Sequence, residues 1–334
     1  MRGEMTKGVQ SAVMVALACA LLAAPAAAQP AWKPDKSVEL IVGTSPGGGQ
    51  DRTARTMQRI LQERKLVDVA IAVTNRAGGG GAVALAYSHQ HPGDGHFLQV
   101  ASPTLLTNHI SGKGQHNWSD FSPISILFSE AIVFAVKADS PIKTGADLIA
   151  QLKKDPGSVA ISTSTAAGNQ YHIASVLVGR AAGVPANRLK VVIFNSGGDA
   201  ITALLGGHVQ VTTASASNFI GHVKAGTLRV VAVSAPQRLA GALASVPVWK
   251  EFGVDLTLDQ WRLVFGPPGL STAQVAYWDG VLNRLVKTED WKKELQNNLW
   301  DDIYKGPADT RKYLAAEYSE TKAILTEIGL AAAK

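Results

Sequence analysis

Hydrophobic positions along this chain fall in short blocks that alternate between two spacings. Val38, Leu40, Ile41 and Val42 form an apolar run that predicts a buried strand. Pro46-Gly47-Gly48-Gly49 ends it, because no regular element continues through that composition. From Gly49 or Gln50 onward, Ala54, Met57, Ile60 and Leu61 recur at helical spacing, with Arg52, Arg55, Gln58 and Arg59 on the opposite face. The succession of strand, small-residue elbow and helix then repeats. A strand predicted over 67–73 runs into Asn75-Arg76-Ala77-Gly78-Gly79-Gly80-Gly81 and a helix containing Leu85 and Tyr87; a strand over 97–100 ends in Ala101-Ser102-Pro103-Thr104. A strand over 159–162 leads through Thr163-Ser164-Thr165-Ala166-Ala167-Gly168-Asn169 to a helix over 171–182, and one over 190–194 leads through Asn195-Ser196-Gly197-Gly198 to a helix over 199–205.

Further strands are expected at 131–136, 209–213, 228–233 and 263–265, and further helices at 146–153, 272–285 and 308–328. This alternation is that of an α/β protein. In open α/β sheets ligands gather at the carboxyl ends of the strands, so the elbows are expected to share one cleft. The two C-terminal helices need a sheet to cover. The expected organisation is therefore a first lobe from 29–130 and 251–334, with a second lobe, 131–250, inserted between them.

The start of the chain changes this picture only at its edge. Arg2 and Lys7, an apolar run over 12–24, and Pro25-Ala26-Ala27-Ala28 have the layout of a secretory signal peptide, with export and cleavage expected after Ala28. The single cysteine, Cys19, lies inside that run, with Ala16 where a lipidation signal wants Leu. Removing it leaves a chain of roughly 300 residues, comfortable for two cores, with no thiol or disulfide. The net charge of +6 mildly favours anionic ligands, but it is spread along the chain and makes no nucleic-acid footprint.

The chemistry on offer is that of binding. Three successive glycines leave main-chain N–H groups unshielded at a helix N-terminus, a cradle for carboxylate or phosphate. They also suit a tight strand-to-helix turn, with Asp51 favouring the helix dipole, and the residues alone leave both roles open. A P-loop is excluded because Gly43-x4-Gly48 is followed by Gly49 and Gln50, and G-x-G-x-x-G is absent here because Gly47 and Gly49 are followed by Arg52. The hydroxyl run at 162–165 suits an oxyanion but also an N-cap, and His172 is read as a helix-face histidine rather than a ligand. His89, His91 and His96 surround the turn Pro92-Gly93-Asp94-Gly95 and are not expected to hold a metal; no cofactor is expected. No Gly-x-Ser-x-Gly elbow supports a hydrolase, and no catalytic residue is assigned.

In order and spacing these motifs resemble the receptors of tripartite tricarboxylate transporters, the Bug-type periplasmic solute-binding proteins. The resemblance rests on Lys36, Val38, Leu40, Ile41 and Val42 with Pro46-Gly47-Gly48-Gly49 and Asp51; on Asn75-Arg76, Gly78 and Gly80-Gly81; and on Asp94-Gly95, Phe121, Pro123-Ile124-Ser125 and Pro156-Gly157. It continues through Leu204-Leu205-Gly206-Gly207, Val209, Lys224-Ala225-Gly226, Leu228-Arg229, Val246-Pro247 and Trp261, almost end to end. It implies a type II periplasmic-binding-protein fold, two α/β lobes closing on a carboxylated solute, with membrane components of a transporter as partners and a monomeric receptor. A sensor of the same fold without a transporter is the alternative. The implied carboxylate sits between the elbows, on N–H groups of Gly48 and Gly49. Thr44, Ser45, Ser162, Thr163 and Thr165 complete its shell, Ser102, Thr104 and Asn169 stand at the neighbouring strand ends, and Asp51 orients the loop. Phe194 and Trp261 are wall candidates that equally suit a core. Three departures touch the ligand: Gly43-Thr44-Ser45 replaces the family's Pro-Phe-Pro, Ala214 stands at a common acid, and Phe194-Asn195-Ser196-Gly197 replaces Tyr-Lys-Gly-Ser. No named acid is carried over.

Overall fold

A computed structural model describes residues 32–164 and 166–332. The expected signal segment and Thr165 lie outside the described residues.

The first elements are strand β1 (Val38–Val42), helix α1 (Gly49–Glu63), β2 (Ile71–Asn75), α2 (Ala82–His89), β3 (Phe97–Ala101), α3 (Thr104–Ile110) and β4 (Ser122–Glu130). The chain then builds β5 (Ile132–Lys137), α4 (Gly145–Lys154), β6 (Ala160–Ser164), α5 (Gln170–Ala181), β7 (Lys190–Phe194), α6 (Gly197–Leu205), β8 (Val211–Ser215), α7 (Ile220–Lys224) and β9 (Leu228–Ser234). It ends with β10 (Arg262–Gly266), α8 (Thr272–Val286), α9 (Glu289–Asn298), β11 (Trp300–Asp301) and α10 (Pro307–Glu327).

Two sheets result, in the orders β11-β4-β10-β3-β1-β2 and β7-β6-β8-β5-β9. Each has a parallel set, β2-β1-β3 or β7-β6-β8, followed by an antiparallel strand that enters from the other sheet, β10 or β5. The chain passes between sheets twice, at Glu130–Ala131 and again before β10. These crossings lie side by side, with Ala131 bridged antiparallel to Asp259.

The alternation along β5 shows why the second sheet is buried on both faces. Ile132, Phe134 and Val136 join one core with Leu148, Leu152 and Val178, whereas Val133 and Ala135 join another with Ile201, Leu204 and Phe219. Val254 and Leu256 pack into the first of these cores, so the chain stays with the second sheet almost to residue 258. In the first lobe Leu105, Leu106, Trp261, Leu263, Phe265 and Leu314 form a third core, and Ile173 of α5 reaches it from the other lobe.

Sequence and structure part at several elements. Residues 67–70 precede β2 rather than belonging to it. β4 is a strand whose nine residues are all buried, so it lacks the alternation that marks a one-faced strand. α3 is buried at six of its seven positions and gives no amphipathic signal. α9 is mostly polar and buries only Trp291 and Leu295.

Candidate functional site

The first elbow is built around a buried acid. Asp51, 3% exposed, accepts from the Gly47 N–H at 2.9 Å, from Asn75 Nδ2 at 2.9 Å and from Arg55 Nε at 2.9 and 3.0 Å. Asn75 Nδ2 also donates to the Thr44 carbonyl at 2.9 Å, tying the elbow to β2. Burial works against the charge on Asp51, but Arg55, the Gly47 N–H and Asn75 outweigh it and hold its carboxyl below the usual range. The acid fastens the loop from beneath. Gly47 turns the chain at φ 82°, a left-handed conformation that glycine adopts without steric cost.

At its end this loop leaves a helix uncapped. Gly48 is the N-cap of α1 and has no side chain to give, so the first N–H groups of α1 have no intrahelical acceptor. The second lobe's elbows behave differently. Asn169 Oδ1 accepts from the His172 N–H at 2.9 Å and caps α5; Ser196 Oγ accepts from the Asp199 N–H at 3.1 Å and caps α6. In the second lobe, capping occupies Asn169 Oδ1 and an acceptor site of Ser196 Oγ.

The uncapped turn borders a cavity of about 20 Å³, enough for a bound water. Thr44, Gly48, Gly49, Gln50 and Ser102 line it from the first lobe, facing Ser164, Tyr171, Ser196, Gly197 and Asn218. Gln260 and Arg262 close it at the second crossing. The lobes are shut upon one another. A Cβ at Gly48 would lie 3.5 Å from Ser196 Cβ, and Lys113 Nζ donates to the Ala167 carbonyl at 3.1 Å across the rim.

Three buried polar atoms on this lining have no hydrogen-bond partner among the described residues: Thr44 Oγ1, Gln260 Nε2 and Arg262 Nε. Two of them can only donate. Buried donors without acceptors cost free energy that an acceptor placed in the cavity would recover. Arg262, 2% exposed, donates from Nη2 to Glu130 Oε1 at 2.5 Å and from Nη1 to the Gln260 and Trp261 carbonyls at 3.2 Å. Glu130 Oε2 accepts from Ser217 Oγ at 2.7 Å and Trp300 Nε1 at 3.2 Å.

Of the side chains singled out from sequence, Thr44, Gly48, Gly49 and Ser102 border the cavity. Ser102 Oγ accepts from Gln50 Nε2 at 3.0 Å and donates to Thr104 Oγ1 at 3.3 Å, which places Thr104 behind it. Ser45 and Asp51 belong to the elbow without lining the cavity. Ser162 is fully buried within its sheet, 2.6 Å from Thr212 Oγ1, and Thr163 is fully buried beside it. Phe194 packs against the second lobe's core, and Trp261 is a fully buried member of the first lobe's core. His172 accepts from the Gly168 N–H at 2.8 Å; burial, aided by the charge of Lys113, lowers its pKa to about 4 and keeps it neutral. Of the three turn histidines, His91 stacks on Phe97 at 3.7 Å and His96 pairs with Asp94 at 2.6 Å, whereas His89 stacks on His116 at 4.4 Å.

Sequence reasoning missed Gln50, Tyr171, Asn218, Gln260 and, above all, Arg262 with Glu130. The available signal was a charge at the head of an otherwise apolar strand, matched by an acid at the junction of two apolar runs.

A wider groove of about 960 Å³ runs behind the crossings past Asp259, Asp301 and Glu317. Burial raises the pKa of Asp259 and Asp301, and burial with the charges of Asp259 and Glu320 raises that of Glu317 to about 7.

The family model for the tripartite tricarboxylate transporter family receptor matches residues 53–330. Protein BugT of Bordetella pertussis is 25% identical over 318 residues, which cover 94% of this chain and 95% of that one. The solved structure of the periplasmic binding protein BugD superposes with a TM-score of 0.82 at 17% identity, covering 89% of this chain and 99% of that chain. Rpa4515 of R. palustris with adipate superposes with a TM-score of 0.82 at 23% identity, again over 89% and 99%. With the two sheets, these likenesses make the fold that of a two-lobed periplasmic binding protein.

Proposed function

We propose that this chain, which belongs to the tripartite tricarboxylate transporter receptor family, closes its two lobes on the carboxylate of a small organic solute and presents the closed form to that transporter's membrane components. The family is one of solute-binding receptors rather than enzymes, and we propose binding without turnover. One observation carries the ligand class: the uncapped N-terminus of α1 shares a single small cavity with the orphaned donors of Gln260 and Arg262. A carboxylate satisfies all three, because its oxygens only accept and its charge suits the helix dipole. The adipate in the Rpa4515 structure supports this reading.

In this reading Thr44, Gly48, Gly49 and Ser102 contact solute from one side. Ser164, Tyr171, Ser196 and Asn218 contact it from the other. The lobes are the segment before 131 together with the C-terminal part, and the segment from 131 to about 250; the packing of Val254 and Leu256 with the second sheet's core supports a crossing nearer residue 258. The receptor works as an exported monomer, released by cleavage after Ala28. Among the described residues no helix is long and apolar enough to cross a membrane.

Thermal-shift screening of ligand-stripped protein against mono-, di- and tricarboxylates tests the function. A solute that binds only the folded state raises the unfolding midpoint. A panel in which no carboxylate shifts it, with no acid released on denaturation, rejects the reading. Light scattering and the intact mass of protein from an exporting host test the monomer and the cleavage.

A further inference from the structure

The lobes meet a second time, outside the solute cavity, along the flank where α5 of the second lobe lies against the end of α10. The C-terminal turn belongs to the first lobe: Leu325 is fully buried in that lobe's core, and the Ala332 N–H donates to the Ile110 carbonyl of α3 at 3.0 Å. Its contacts nevertheless extend to α5. Ile173, 1% exposed, inserts into the first lobe's core, and Leu177 and Ile328 pack against the cores of both lobes at once. At the edge of this seam Arg180 Nη2 donates to Glu327 Oε1 at 2.8 Å. The loop preceding α5 rests on the same turn, with a Cβ at Gly168 standing 3.8 Å from Leu325 Cδ2.

Parting the lobes here would return Ile173, Leu177, Leu325 and Ile328 to water, which is unfavourable in proportion to the apolar area exposed. None of these side chains lines the solute cavity. The seam therefore favours the closed form equally whether the cleft is filled or empty, whereas a donor on the cavity wall acts through the solute it meets.

We propose, on the basis of the solute-binding reading above, that the C-terminal turn, residues 325–332, is a latch that holds the lobes closed on α5 before solute arrives. Solute enters through the minor open population. The latch sets affinity without setting selectivity, because a receptor whose competent closed form is only fractionally populated binds every solute more weakly by that fraction. Loosening the seam weakens all solutes alike. A change on the cavity wall weakens them unequally.

Distances between spin labels test the latch directly. Val83→Cys and Ile193→Cys offer exposed positions, one in each lobe and both outside the seam; Cys19, in the segment expected to be cleaved, is the only native thiol. In solute-free protein the closed distance should dominate. Ile328→Ser should shift the population to a longer distance, and calorimetry with malate, succinate and adipate should then show at least about fivefold weaker binding, by the same factor for each. Arg180→Glu sets like charges together at an exposed pair and should weaken all three by about two- to fivefold; adding Glu327→Arg should restore them. An open distance in the unaltered, solute-free protein overturns the latch. So do distances that no variant moves, which would make the seam a fixed part of the hinge, and losses that reorder the three acids. Should Ile328→Ser fail to fold by circular dichroism, the exchange of Arg180 and Glu327 decides. The labels need no solute, so binding of none of the acids overturns the reading beneath while the distances still judge the latch.

Discussion

Glu130 and Gln260 exchange both of their main-chain hydrogen bonds, Glu130 N–H to the Gln260 carbonyl at 3.2 Å and Gln260 N–H to the Glu130 carbonyl at 2.8 Å. The two crossings between lobes are thus a short antiparallel ribbon rather than two loose strings. Glu130 and Arg262, which define the charge at the bottom of the cleft, are carried on that ribbon. Opening the lobes therefore twists the same backbone that holds the ion pair.

Gly49→Ala places a methyl group against the guanidinium of Arg262, which the Glu130 pair and two carbonyls hold in place. Overpacking of this kind costs about 1–3 kcal/mol. Calorimetry with the carboxylate giving the largest thermal shift should show at least about tenfold weaker binding, near 1.4 kcal/mol. Unchanged affinity in a folded variant places the solute away from this elbow.

Asp51→Asn removes the anion that gathers Gly47, Arg55 and Asn75. Hydrogen bonds to a charged group contribute about 1.5–3 kcal/mol, and exposure of Arg55 puts the expected loss at the lower end. Because the folded carboxyl lies below its ordinary value of 3.8, its stabilisation is present above that pH and disappears as pH falls through the lowered folded value. Urea titrations should show a deficit at neutral pH that closes in acid. A deficit that persists there would point to shape rather than charge.

Thr163→Val should leave binding unchanged and raise stability by about 1 kcal/mol, because the hydroxyl is fully buried and has no partner among the described residues. Urea midpoints and calorimetry check the two halves separately. A large loss of affinity would return Thr163 to the solute's shell.

Two half-buried groups give the stability curve opposite slopes. His172 falls from 6.5 to about 4 through burial and the charge of Lys113, so between those values the unfolded chain binds more protons and stability rises with pH. Glu317 rises from 4.5 to about 7 through burial and the charges of Asp259 and Glu320, so there the folded chain binds more protons and stability falls with pH. Glu317→Gln deletes the falling contribution. Its urea midpoint should climb more steeply between pH 4.5 and 6.5 than that of the unaltered protein. Parallel profiles would reject the raised value for Glu317.

The elbows were legible because glycine and hydroxyl residues are local signals, and Thr44, Gly48, Gly49 and Ser102 do border the cavity. What sequence left undivided was capping from ligand binding. Only coordinates separate Asn169 and Ser196, which cap helices, from Gly48, which caps nothing. The Glu130–Arg262 pair was illegible for another reason: its members stand 132 positions apart and meet only where two crossings lie side by side. Trp261 stands next to the site residue Arg262 in sequence, yet the alternation of a strand sends it to the core.

The place of β10 between β3 and β4 has a consequence for how the molecule assembles. The second sheet comes from one continuous stretch, Ile132 to Ser234, and has all its partners once that stretch is available. The first sheet must wait for residues 262–266, and until they arrive β3 and β4 present bare edges on an apolar surface. Non-local pairing of this kind is slow, and open edges invite association with other chains. Refolding from denaturant should therefore show an early phase in the second lobe and a late, concentration-sensitive phase as β10 threads home. A chain truncated before residue 262 should aggregate rather than yield half a receptor.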